Sequence, residues 1–202
     1  MNLGRALTSP ALQGGTFLDI DTVNSTPFPN TYANKDIEIN AALAIDNTFP
    51  ASTLTLNSAG GISVNAAIGT GTSNVILTMQ SHGDININAG GKVRMNGVSI
   101  TAITGSINVA DQILALNDKN IFLNAPTGSI AFTGSGYAGT SGAGAITLDT
   151  HLSSAGTITS GSTSAVSAGK LVIASGTQGV GTSGSPFVTA VDDLSALVFR
   201  IP

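Results

Sequence analysis

Ile85-Asn86-Ile87-Asn88 is one copy of a phrase that returns through residues 37–132: an apolar residue, any residue, a second apolar residue, then a small, usually polar one. The other copies are Ile37-Glu38-Ile39-Asn40, Ile62-Ser63-Val64-Asn65, Ile107-Asn108-Val109-Ala110 and Ile130-Ala131-Phe132-Thr133, and successive starts along the chain are 25, 23, 22 and 23 residues apart. A second phrase runs in phase with the first, as Leu54-Thr55-Leu56-Asn57, Val75-Ile76-Leu77-Thr78, Val98-Ser99-Ile100-Thr101 and Ile121-Phe122-Leu123-Asn124, with starts 21, 23 and 23 apart. A third column passes through Leu43 and Ile45, Ile68, Val93 and Met95, and Leu114 and Leu116. Apolar alternation over three or four residues is a strand pattern, and a fixed return of this length lies within the range of solenoids. Three short strands per coil therefore predict an all-β chain wound as a right-handed parallel β-helix. The alternative is an antiparallel β-sandwich, because Asn96-Gly97 between alternating runs is a strong hairpin signal. A meander has no reason to hold a constant spacing between like phrases, which favours the coil.

Composition points the same way. Asp, Glu, Lys and Arg make up only 9% of the chain, against about 25% in an ordinary globular domain, so solubility rests on Ser, Thr, Asn and Gly. Aromatic residues at 4%, with no Trp, suit narrow coils filled with Ile, Val, Leu and Ala. A net charge of −4 and seven scattered basic residues argue against nucleic acid as a partner. Cysteine is absent, which removes disulfides, thiolate metal sites and a Cys nucleophile. Uncharged stretches are broken every few residues by Gly, Ser, Thr or Asn, so membrane insertion through an apolar helix is not expected. Residues 1–15 carry Arg5 but no run of seven apolar residues, a poor signal peptide; if the parent is secreted, this chain is a mature piece or an excised fragment.

Along the chain, residues 1–36 fit the repeat badly. They hold Pro10, Pro27, Pro29 and one short alternating run, Phe17-Leu18-Asp19-Ile20, and read as an entry segment or cap. Residues 37–178 read as the β-helix coils and 179–202 as a C-terminal strand segment or cap. Glycines at the corners, among them Gly60-Gly61, Gly83, Gly90-Gly91, Gly97, Gly105 and Gly128, are expected to supply positive φ where the chain turns. Residues 134–144 read as a surface loop. Asn40, Asn65 and Asn88 recur at one partly buried corner and predict a structural ladder of side-chain amides stacked up the axis.

The residues that resemble chemistry mostly occupy corners and outer faces. Ser81-His82-Gly83-Asp84 collects the side chains of a hydrolase triad, but neighbours in a corner point apart, whereas a triad needs a chain of oriented hydrogen bonds. His82 and His151 are the only histidines and read as solvated loop positions without metal-ligand spacing. Gly134-x-Gly136-x-x-Gly139 matches the dinucleotide fingerprint by letter, yet the chain continues into a Gly/Ser loop and a strand rather than the helix whose N-terminus would hold phosphate. Asp84, Lys92 and Arg94, and Asp111, Asp118 and Lys119, can line an outer face as in carbohydrate-active β-helix enzymes, but such enzymes need several carboxylates or a cation site together. Thr55, Ser63, Ser99 and Thr147 form outward rows too irregular for a flat binding array. No catalytic, metal or cofactor-binding residue is expected.

Gly83-Asp84-Ile85-Asn86-Ile87-Asn88-Ala89-Gly90-Gly91-Lys92-Val93 and Gly179-Val180-Gly181-Thr182-Ser183-Gly184-Ser185-Pro186-Phe187 resemble phrases of large bacterial surface exoproteins of the filamentous haemagglutinin type, over roughly residues 37–194. The resemblance implies a right-handed parallel β-helix, secretion to the bacterial cell surface and a role as an adhesin shaft, although the chain contains no Arg-Gly-Asp triplet. The expected function is that of a non-enzymatic, extracellular spacer. Six or seven coils would give a rod of roughly 30 Å at the β spacing. The alternatives are a filament subunit whose coils stack end to end on another copy, and a carbohydrate-active β-helix enzyme. The partners expected are a second copy of the chain and a host or matrix glycan or protein.

Overall fold

The computed structural model describes residues 18–21, 36–47, 51–161, 165–183 and 185–198. Among these residues the chain forms seventeen strands and no helix, wound as a parallel β-solenoid of about seven turns. The strand β1 (Leu18–Asp21) comes first, and the first coil then holds β2 (Ile37–Ile39) and β3 (Thr53–Ser58). Next come β4 (Ile62–Val64) and β5 (Ile76–Ser81), then β6 (Ile85–Ile87), β7 (Val93–Met95) and β8 (Gly97–Ala102). The middle coils contain β9 (Ile107–Val109), β10 (Gln112–Ala115) and β11 (Ile121–Asn124), followed by β12 (Ile130–Phe132), β13 (Tyr137–Thr140) and β14 (Ala145–Asp149). The last coils contain β15 (Ile158–Ser160), β16 (Val166–Ser175) and β17 (Thr189–Val198).

Each coil contributes to three faces. One face is the six-stranded sheet β2-β4-β6-β9-β12-β15. The second runs β1-β3-β5-β8-β11-β14-β16, with β17 on the outer side of β16. The third consists of β7, β10 and β13, continued toward the first coils by the bridges Leu43 to Ile68 and Ile68 to Val93. The ten-residue β16 joins the second and third faces, because its first half pairs with β13 and its second half with β14. All pairs of named strands are parallel, and the one antiparallel contact among the described residues is the bridge Thr182 to Ser185. Asn96 is therefore a corner and not a hairpin: β7 pairs with β10, while β8 pairs with β5 and β11. The sandwich alternative is excluded.

The core is a set of columns, because inward residues stack one ladder step apart, about 4.8 Å. Ile37, Ile62, Ile85, Ile107, Ile130 and Ile158 form one column, and Leu54, Leu77, Val98, Ile121, Ile146 and Leu171 another, all buried. Two columns differ from the sequence reading. Leu54-Thr55-Leu56 pairs with Leu77-Thr78-Met79 rather than Val75-Ile76-Leu77, a slip of two residues that leaves the inward alternation intact. On the third face Ile113 and Ala115 point inward and Leu114 stands outward opposite Arg94, so the column drawn through Leu114 and Leu116 was off by one residue. One further reading changes as well. Tyr137–Thr140 is the strand β13 and not a loop. In the two end segments, β1 of residues 1–36 pairs with β3, and β17 of the C-terminal strand segment 179–202 pairs with β16. The rest of the entry segment, residues 1–17 and 22–35, lies outside the described residues.

Most corner glycines are needed for a different reason from the one expected. Of the corner positions named from sequence, Gly90 is the one with positive φ, at 92°. Gly105, Gly128 and Gly156 sit where one coil crosses close over the next, and a Cβ at each would overlap backbone atoms of Gly83, Gly105 and Gly128 respectively. The corner is a column of close backbone approach.

Candidate functional site

The recurring polar construction of this protein lies at its corners. Asn65 Nδ2 donates to Asn40 Oδ1 at 2.7 Å and Asn88 Nδ2 to Asn65 Oδ1 at 2.7 Å, so the ladder expected from sequence exists. Its members are exposed rather than partly buried. It ends where the next coil presents Ala110, whose backbone N–H still donates to Ile87 O at 2.7 Å. Asn65→Ala removes both bonds and should cost about 1 kcal/mol in all, since each is exposed and its partner stays wetted. Urea unfolding of the variant checks this; a loss several times larger would mean that the ladder, and not the core columns, holds the coils together.

Sequence reading missed two further ladders. Asn108 Nδ2 donates to Asn86 Oδ1 at 2.9 Å on the outer face of the six-stranded sheet. At the corner between the third and second faces, Asn117 Nδ2 donates to Asn96 Oδ1 at 2.9 Å, and Asn96 Nδ2 to Asn74 O at 3.4 Å. The signal was present in the spacing, since Asn74, Asn96 and Asn117 recur at nearly the coil period. Asn117 and Asp118 hold φ of 54° and 57°, a left-handed pair that Asn and Asp tolerate better than other side chains.

The carboxylates cap backbone amides. Asp36 Oδ1 accepts from Gly61 N at 2.6 Å, and Asp84 Oδ1 from Ser106 N at 2.8 Å. The same corner column continues with hydroxyls, as Ser106 Oγ accepts from Ser129 N at 3.1 Å and Ser129 Oγ from Thr157 N at 3.0 Å. Asp111 Oδ2 accepts from Gly90 N at 2.7 Å, and Asp118 Oδ1 from Ala143 N at 3.2 Å. Each bond satisfies an amide that the turning chain leaves without a ladder partner.

This geometry separates the residues that looked chemical in sequence. Ser81 is buried and donates to Gly83 O at 2.6 Å, His82 is exposed, and Asp84 is turned to Ser106, so the three do not form a triad. Gly134 and Gly136 form a turn that leads into β13 and then β14, with no helix to hold a dinucleotide. Lys92 is exposed, while Arg94 donates through Nε and Nη2 to Gln112 Oε1 at 3.3 and 3.1 Å. Thr55, Ser99 and Thr147 do share an outward column, interrupted by Phe122, but Ser63 belongs to the other sheet. His151 is not a plain solvated position: its Nδ1 lies 2.5 Å from Asp149 Oδ1, on a corner whose Thr150 hydroxyl is buried without a partner, as is that of Ser175 one coil on. Among the described residues no group of three His, Asp or Glu side chains is placed to hold a metal ion. The outer face of the second sheet carries a shallow groove of about 250 Å³ at Gly97, walled by Ile76 and Phe122 with Lys119 at its rim.

Searches against protein-family models, curated proteins and solved structures gave no match. The side-chain ladders and caps described above link one turn of the coil to the next.

Proposed function

We propose that this chain is a non-enzymatic structural segment, a rigid β-helical spacer in an extracellular bacterial adhesin or surface filament. The observation that carries this reading is the unbroken register of one column, in which Leu54, Leu77, Val98, Ile121, Ile146, Leu171 and Leu194 succeed one another without a slip. In a parallel solenoid the backbone hydrogen bonds run along the long axis, so bending opens ladder bonds on one side while the apolar columns resist shear. Side-chain amide ladders and carboxylate caps add links in the same direction. The sparse charge and the outward Ser, Thr and Asn suit a shaft that carries a function elsewhere, and the resemblance to filamentous haemagglutinin-type exoproteins supplies the cell-surface setting.

A carbohydrate-active enzyme is the reading to test against it. Incubated with acidic and neutral polysaccharides, the protein should release no new reducing ends and no unsaturated products. Reproducible cleavage that disappears in Asp84→Ala would overturn the spacer reading.

A further inference from the structure

The corner between the second sheet and the six-stranded sheet carries a column of small inward residues. Ser58, Ser81 and Ala102 succeed one another in register, Ala125 follows on the next coil, and Thr150 and Ser175 come after it, all buried. The two alanine side chains have no polar atom to satisfy, and the first two serines spend their hydroxyls on the turn: Ser58 Oγ donates to Gly61 O at 2.9 Å and Ser81 Oγ to Gly83 O at 2.6 Å. Thr150 and Ser175 depart from this pattern. Both are 0% exposed, and among the described residues neither hydroxyl meets a hydrogen-bond partner. The corner after Thr150 is also longer, since residues 151–157 separate it from Ile158, whereas the corners after Ala102 and Ala125 take residues 103–106 and 126–129.

We infer that Thr150 and Ser175 hold one internal water molecule, which bridges two neighbouring coils from inside the corner. Thr150 N donates to Ala174 O at 2.8 Å, so the two residues stand one ladder step apart, about 4.8 Å. Hydroxyls at that separation are too far apart to bond each other, since an O–H···O bond spans about 2.8 Å. A water about 2.8 Å from each oxygen would subtend roughly 120° between them, an angle open to its hydrogens and lone pairs. Burying a hydroxyl without compensation is unfavourable, and internal waters settle where such groups converge. Asp149 alternates outward between Leu148 and Thr150 and is engaged with His151, so the groups that face the site are neutral, which selects water over a cation. On the other side of the corner Gly176 and Ser153 are buried, and they cross so closely that a Cβ at Gly176 would overlap Ser153 O. The inference concerns the inside of the coil and does not depend on the spacer reading.

Magnetic relaxation dispersion of water deuterium counts the molecules held inside a protein in solution. The native chain should hold one more than the Thr150→Val/Ser175→Ala double variant, whose circular dichroism should match the native chain because each substitution only removes an oxygen or replaces it with a methyl group. Urea unfolding gives a second reading. Either substitution alone removes the water and leaves the other hydroxyl buried without a partner, so it should raise the unfolding equilibrium constant roughly tenfold, while adding the second substitution should recover part of that loss. An equal count of held waters in the native chain and the double variant would overturn the proposal, and a coupling that persisted alongside it would assign the two hydroxyls a direct bond. Single substitutions that stabilise the protein, with additive effects, would also overturn it, by showing that the hydroxyls are buried with no partner of any kind. If the double variant fails to fold, Ser175→Ala carries the test, with the same loss of one held water expected.

Discussion

Gly128→Ala is expected to destabilise the protein by about 3 kcal/mol, although it adds a single methyl group. Gly128 stands at the corner that leads into Ile130, directly over the equivalent Gly105. The new Cβ would overlap the Gly105 carbonyl oxygen, and the obstructing atom is backbone, so no side-chain rotation relieves it. The coils must separate locally, and separation lengthens the ladder bond that Ile107 N makes to Ser129 O, now 2.8 Å. Gly134→Ala is the control. Gly134 has φ of 58° but no atom within 4 Å of an added Cβ, so that variant incurs only backbone strain of about 1 kcal/mol. Urea denaturation of both variants measures the difference. If Gly134→Ala proves the more damaging, the corners are set by φ and not by the close crossing of coils.

Ile107→Ala is expected to cost 2–5 kcal/mol, roughly the range for truncating a buried Ile. Ile107 is fully buried between Ile85 and Ile130, and neighbouring coils held at the ladder spacing have little freedom to collapse into the void. The loss should be local as well as large, because each coil of a solenoid contacts only its neighbours. Amide exchange should therefore speed up first in β6, β9 and β12, with β16 least affected. Uniform acceleration across all coils would indicate a globular core instead of stacked columns.

The Ile column and its period were legible because β-branched residues fill the strictest inward positions, where a shift of one residue would turn them to solvent. The third face was not. Tyr137-Ala138-Gly139-Thr140 carries no large apolar residue at its buried positions, and near the start of the coil that face is held by single bridges at Leu43 and Ile68. The misplacement at Val75 has a different origin: Val75, Leu77 and Met79 all point inward, so alternation alone permits a slip of two. Among the polar residues, the Asn40-Asn65-Asn88 ladder was readable as identical residues at the coil period. The caps made by Asp36, Asp84, Asp111 and Asp118 were not, because which amide a corner leaves open depends on how the chain crosses the coil beside it.

The central claim, that this chain is a stiff stack of parallel coils, meets its most direct test in a distance between spin labels on Thr55→Cys and Val172→Cys. These residues occupy the same outward column on β3 and β16, five ladder steps apart in the sheet order. At the spacing of neighbouring strands the separation is about 24 Å. A stiff stack predicts a single narrow distance distribution there, in dilute solution. A broad or shifted distribution would contradict it, showing either that the strands are not stacked in this order or that the stack bends too freely to act as a spacer.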